Sequence, residues 1–209
     1  MERIELIKTL VKPYYHSTDP AHDWAHICRV ARTAEKLCLN QKVNLIYVLA
    51  TVYCHDLVNI QKDHPDRVNA SQLTSKAAAP LLKKAGFNTD EIQFICNAIL
   101  EHSYSKDLRP SSPEAAIVQD ADRLDALGAI GILRCASVNT QMGSSFYDVI
   151  DPFSDSRELN DKKFMLDHYY VKLFKLPELM NTPQGKILAN QGVEFMKNFI
   201  NQLKIEIRG

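Results

Sequence analysis

Glycine is scarce in this chain, with seven in 209 residues, and runs of alternating β-branched residues are scarcer still. The two-residue period of a half-buried strand is therefore missing, which excludes a sandwich or barrel of many short strands. No CxxC pair occurs, and the five cysteines (Cys28, Cys38, Cys54, Cys96 and Cys135) are odd in number and widely spaced. That excludes a disulfide framework and points to buried thiols of a cytoplasmic protein. There is no excess of either charge, with 25 basic and 25 acidic residues mixed along the chain. No global field attracts a nucleic acid polymer or an anionic membrane, so any phosphate binding must be local. The opening MERIELIKTLVKPYY lacks the unbroken apolar core of a signal peptide, and no later run approaches membrane-spanning length.

What is present is helical periodicity. Apolar residues recur at spacings of three and four almost throughout, and the 45% hydrophobic content suffices for one sizeable core. The expectation is a single all-α domain over 1–209. Helices are predicted at about 2–12, 43–58, 66–85, 88–103, 113–138, 158–176 and 184–206. A further helix is predicted to start at Asp19, as cap, and Pro20, as first helical residue, and to run to about Leu39. Loops are marked by Lys62-Asp63-His64-Pro65, by Gly86-Phe87-Asn88, by the stretch from Arg109 to Pro113 and by Asp151-Pro152-Phe153-Ser154. The irregular segment from Met142 to Asn160 has the composition of a lid.

His26, the consecutive His55 and Asp56, and Asp122 stand out, because all fall in segments that read as helix. Imidazole nitrogen with carboxylate oxygen suits a divalent ion such as Mn, Fe, Co, Ni or Zn better than Mg, which prefers oxygen-only shells. His22, His26 and Arg29 share one helical stripe, bordered by Val30 and Leu37, so His26 is expected to face inward. The segment VNLIYVLATVYCHDLV is apolar all round, marking a central buried helix with His55 and Asp56 near its end. An unpaired aspartate there would cost several kcal/mol, and a metal ion removes that cost.

Blander readings exist for each residue. His55-Asp56 alone fits a half-exposed helix end, and Asp120, Asp122 and Asp125 fit a solvated face, though their apolar surroundings weaken that reading. Val118, Asp122, Asp125 and Ala129 are expected along one stripe of a continuous helix, with Gly128 and Gly131 inside it at a cost of about 1 kcal/mol each. Close approach to a neighbouring helix is the expected compensation. His102, on the stripe of Ile92, Ile95 and Ile99, is either a core histidine or a group that contacts phosphate or supports a ligand.

Together the phrases DPAHDWAHICRV, YCHDLVNIQKDHPDR, AILEHSYS and IVQDADRLDALGAIGI, with the stretch DPFSDSRELNDKKFMLDHYYVKLFKLPELMNT, resemble the HD-domain superfamily of metal-dependent phosphohydrolases, whose signature is H…HD…D on an all-helical core. They are similar to its small stand-alone bacterial branch typified by YedJ, over nearly the whole chain. The resemblance implies a single HD-type helical bundle, with a metal-binding core at about 20–138 and a C-terminal helical extension at about 139–209. It makes His26, His55, Asp56 and Asp122 the ligands of one divalent ion (Mn, Ni, Co, Fe, Zn or Mg), while His22 and Asp23 line the pocket. It also implies hydrolysis of a phosphate ester or anhydride, usually of a nucleotide, with nucleoside triphosphate pyrophosphohydrolases among the small relatives. Asp56 is followed by Leu57, Val58, Asn59 and Ile60. Guanosine tetraphosphate hydrolases resemble HD followed by two carboxylates, and 5′-deoxynucleotidases carry a glutamate three residues on, where Asn59 cannot serve as a base.

On this reading the ion activates water and polarises a phosphoryl oxygen. Lys62, Arg29, Arg67 and Arg123 are the candidates for neutralising phosphate charge, with His22 and His102 as further substrate contacts. Asp23, Asp120 and Asp125 are the candidate bases. The rival readings are a metal-holding nucleotide sensor without turnover, a cyclic nucleotide phosphodiesterase, for which only His102 offers an additional inward histidine, and an iron-dependent oxidase. The expected partner is a small phosphate substrate, with neither nucleic acid polymer nor membrane. The amphipathic C-terminal helix can pack on its own core or on a second subunit, which leaves a homodimer open.

Overall fold

The computed structural model describes residues 1–15, 21–60, 64–102 and 108–209. Among these the regular structure is helical, with no strand beyond an isolated bridge between Ser145 and Phe164. The all-α expectation holds. No helix among the described residues is long and apolar enough to cross a membrane. The described chain divides into two compact units, with the division between Asp122 and Arg123 and with Ala21 grouped with the second.

The first unit contains α1 (Glu2–Val11), α2 (Trp24–Cys38), α3 (Leu45–Cys54), α4 (Ala70–Lys84), α5 (Thr89–Glu101) and most of α6 (Pro113–Leu124). Of these, α2, α3, α5 and α6 begin where short polar side chains satisfy the first orphan amides. Asn44 Oδ1 accepts from the Ile46 and Tyr47 amides, and Asn88 with Glu91 forms a reciprocal capping box at α5. At α6, Ser112 Oγ accepts from the Ala115 amide and Pro113 is the first helical residue. α3 is the buried centre: every residue from Val48 to Cys54 is buried, as its apolar composition predicts.

Several predicted boundaries move, each for a local reason. Asp19 and Pro20 lie outside the described residues, and α2 starts at Trp24 because Asp23 is the cap, its Oδ1 2.8 Å from the His26 amide. α3 stops at Cys54, which leaves His55 as its C-cap rather than inside a helix to residue 58. A short 3-10 turn, Pro65–Asn69, precedes α4.

The predicted helix over 113–138 is two helices, α6 and α7 (Gly128–Gln141). Gly128 has φ +66°, a left-handed conformation that only glycine adopts cheaply, so the chain turns there. Asp125 consequently does not continue the stripe of Asp122; its carboxylate meets Arg134 at 3.1 Å. Gly131 compensates differently from expectation, since a Cβ there would lie 2.2 Å from the Ala126 carbonyl oxygen, in the turn before its own helix. The close approach between helices instead involves Gly192, where a Cβ would come within 2.9 Å of Leu127 Cβ.

The second unit is built on α7, α8 (Met165–Val171), the 3-10 segment Leu173–Leu179 and the long α9 (Pro183–Arg208). α9 lays Ala189, Val193, Met196 and Ile200 on a core with Leu166, Tyr169, Leu173 and Leu176. The amphipathic C-terminal helix therefore packs on its own unit. Within the segment from Met142 to Asn160, the Asp151 carboxylate accepts from the amides of Asp155, Ser156 and Arg157. Arg157 then makes a two-pronged pair with buried Asp167, at 2.6 and 2.8 Å.

Candidate metal centre

His26 lies on the first turn of α2, His55 and Asp56 at the end of α3, and Asp122 near the end of α6. Three helices of the first unit thus bring the four residues to one point. His26 Nε2 is 3.8 Å from Asp56 Oδ2 and 3.6 Å from Asp122 Oδ1. His55 Nε2 is 3.6 Å and 3.7 Å from the same two oxygens. One ligand atom each of His26, His55 and Asp56 falls within a 4.8 Å sphere of mutual distance. Both imidazoles are buried, whereas the Asp56 and Asp122 side chains keep 22% and 28% of their surface. Substrate or water can therefore approach from the carboxylate side.

The donor set fits a divalent cation. Separations of 3.6–3.8 Å are too long for good hydrogen bonds. They are close to the roughly 3 to 3.5 Å between neighbouring ligands of an ion bound at about 2.1 Å. His55 Nδ1 lies 2.7 Å from the Val52 carbonyl oxygen, which can only accept, so Nδ1 carries the hydrogen and Nε2 presents its lone pair inward. That Nε2 is buried with no hydrogen-bond partner. Two imidazole nitrogens and two carboxylates are the donors expected for a first-row ion.

Without an ion the same groups must neutralise one another. Burial alone would push the His55 imidazolium down, but the Asp56 and Asp122 carboxylates outweigh it and raise the pKa to about 9. Burial would raise Asp56, yet His55 and His102 hold its carboxyl well below the usual carboxylate range. Asp122 is lowered likewise, against burial, by the adjacent His55 imidazole first and then by the charge of His26. A cation entering the site meets two ready carboxylates and must displace a proton from histidine.

His102 is the C-cap of α5 and repeats the arrangement of His55: its Nδ1 is 2.5 Å from the Ile99 carbonyl oxygen, three residues back. Its Nε2 is 3.7 Å from Asp56 Oδ1, and its ring packs edge-on to His55 at 5.0 Å. The His22 ring lies 6.0 Å from that of His26. Asp23 faces the α2 amides as cap, and Asp120 is fully buried on α6. Arg67 is half-buried, with one guanidinium nitrogen bonded to the Asn59 side chain and the Ile60 carbonyl, so it holds the chain just past the His-Asp pair. Arg29 lies half-buried on α2, Arg123 donates to the Leu179 carbonyl within the second unit, and Lys62 falls outside the described residues.

Two buried side chains that the sequence pattern does not single out touch the same stretch. Thr74 Oγ1 meets the Val58 amide at 3.3 Å, and Tyr15 donates to the Tyr53 carbonyl at 2.8 Å. Both sit in ordinary helical or turn segments, so no residue-type or spacing signal marks them.

Comparison with known proteins agrees with this geometry. The family model for the HD domain matches residues 23–127, a span that opens on the α2 cap and closes just past Asp122. A solved HD-superfamily hydrolase from Bacillus thuringiensis is 31% identical, with a TM-score of 0.76 over 100% of this chain and 98% of that one. A Lactobacillus plantarum structure is 30% identical, with a TM-score of 0.78 over 98% of this chain and 96% of that one. Bacillus subtilis YpgQ, solved in complex with ADP, is 29% identical, with a TM-score of 0.77 over 99% of this chain and 96% of that one. With two histidines and two aspartates converging within the matched span, the chain belongs to the HD domain family of metal-dependent hydrolases.

Proposed function

We propose that the protein is a nucleotide phosphohydrolase that cleaves nucleoside triphosphates to monophosphate and pyrophosphate. The observation that carries the hydrolytic part is the convergence of His26, His55, Asp56 and Asp122, with the imidazoles buried and the carboxylates open. The nucleotide class is supported by YpgQ, whose structure was solved with ADP.

His26 and His55, through Nε2, and Asp56 and Asp122, through carboxylate oxygen, are the ligands of one divalent ion. When bound, such an ion supplies Lewis acidity for water activation and for polarising a phosphoryl oxygen. The Val52 carbonyl keeps the His55 ring in its ligating tautomer, and the Asp23 cap holds the first turn of α2 on which His26 stands. His102 and His22 flank the cluster as contacts for substrate phosphate. Arg67 holds the chain past the His-Asp pair, and Lys62 on that loop and Arg29 on α2 are further phosphate contacts by charge and position in the sequence. Asn59, bonded to Arg67, has no basic oxygen and supplies no proton acceptor of carboxylate strength.

The test is hydrolysis of ribo- and deoxyribonucleoside mono- and triphosphates, cyclic nucleotides and a generic phosphodiester, each with added divalent metal and with Asp122→Ala as control. Pyrophosphate and monophosphate from triphosphates, absent with the variant, are the expected products. Orthophosphate from monophosphates would make the protein a phosphatase instead. Tight nucleotide binding with no turnover under any metal would make it a sensor.

A further inference from the structure

The end of α3 poses a problem that the four ligands do not solve by themselves. The helix must stop at Cys54 for His55 and Asp56 to turn toward the cluster, and it stops inside the protein, with every residue from Val48 to Cys54 buried. The last carbonyls of a helix have no partner within it, and buried ones find little water. Val52 O is taken by the His55 ring at 2.7 Å. Tyr53 O is taken by the Tyr15 hydroxyl at 2.8 Å, from a different segment, the 3-10 turn Lys12–Tyr15. Tyr15 is buried, and its ring packs against Trp24, the first residue of α2, which stacks in turn on Tyr53. One hydroxyl from another segment therefore holds the carbonyl two residues before His55, where helix becomes turn.

We infer that Tyr15 is a positioning residue for the metal centre: by holding the buried Tyr53 carbonyl from outside the helix, it fixes where α3 ends and how the His55-Asp56 step is presented. Supports of metal ligands typically contribute 10- to 100-fold in affinity, which sets the size of the effect. Without the hydroxyl, the freed carbonyl favours another turn of helix, and that swings both ligands from their places.

This inference rests on the metal reading above, and the experiment separates the two. Cobalt(II) is titrated into metal-free wild type, Tyr15→Phe, Tyr47→Phe and Asp122→Ala, reading affinity by calorimetry and ligand geometry by the visible absorption bands of the bound ion. Tyr47 lies on α3 itself, with its hydroxyl facing Glu91, so its variant controls for loss of a phenol at this helix away from the His55-Asp56 step. Tyr15→Phe is expected to bind cobalt roughly 10- to 100-fold more weakly with altered bands, and Tyr47→Phe to match wild type. Should Tyr15→Phe fail to fold, Tyr15→His, which retains a ring donor, is expected to bind cobalt more weakly than wild type with altered bands, and wild-type affinity and bands in it would overturn the positioning role. Unchanged affinity and bands in a folded Tyr15→Phe, whatever its thermal stability, would overturn the positioning role alone. Wild-type cobalt binding that is indifferent to Asp122→Ala would overturn the metal reading, and this inference with it.

Discussion

The Nε2 of His102 stands 3.7 Å from Oδ1 of Asp56, while the nearest nitrogens of His26 and His55 address the other oxygen, Oδ2. Asp56 is thus approached on both oxygens by imidazoles whose rings come from different helices. If His102 contacts substrate, as proposed, His102→Ala is expected to lower kcat/KM by roughly 100-fold while metal affinity stays within about threefold. Steady-state kinetics and a metal titration on the same preparation check this, and a large loss of affinity would move His102 into the metal shell.

Asp122→Asn and Asp56→Asn remove an anionic ligand at constant shape. Turnover is expected to fall by at least three orders of magnitude, with far-ultraviolet circular dichroism unchanged. Wild-type rates in either variant would exclude that residue as a ligand.

Metal affinity should depend steeply on pH. In the metal-free protein His55 is protonated below a pKa of about 9, and the ion requires the neutral ring, so apparent affinity rises about tenfold per pH unit up to that value and then levels. Calorimetry in buffers of different ionisation enthalpy should count about one proton released per ion at pH 7.

The same groups link the stability of the metal-free protein to pH. His55 has a raised folded pKa, so its contribution is complete below the unfolded value of about 6.5 and is lost as pH rises through about 9. Asp56 and Asp122 are depressed, so their contribution is present above about 3.9, the ordinary aspartate value, and is lost as pH falls through their folded pKa values. These are two faces of one set of ion pairs. Thermal midpoints in chelator should decline on both sides of a plateau from about pH 5 to 7, whereas metal-loaded protein should stay flat toward pH 9.

In the second unit, Asp167 is almost fully buried against Arg157, so Asp167→Ala strands a guanidinium and an amide from Asn160. A loss of about 3 kcal/mol is expected in denaturant unfolding. Gly131→Ala should cost about 2 kcal/mol or more, because the new methyl would collide with backbone at Ala126. Gly143→Ala, with open space but φ +65°, should cost only about 1 kcal/mol. Equal losses in the two glycine variants would contradict the packing account.

Side-chain chemistry and period were enough to read the helical class and the buried α3, while the four residues that converge were read as one set through the family resemblance. An apolar stripe at spacing three and four has one stable outcome, and a His-Asp pair at the end of an all-apolar helix cannot remain unpartnered. The break between α6 and α7 was decided in the folded chain. Helical propensity alone tolerates Gly128, and only its left-handed turn, with Gly192 packed beneath it, separates Asp122 from Asp125. The bond from Tyr15 to the Tyr53 carbonyl is likewise tertiary. Many residues can accept an amide or satisfy a carbonyl, and which one does so depends on what the fold brings within 3 Å, a relation between segments distant in sequence.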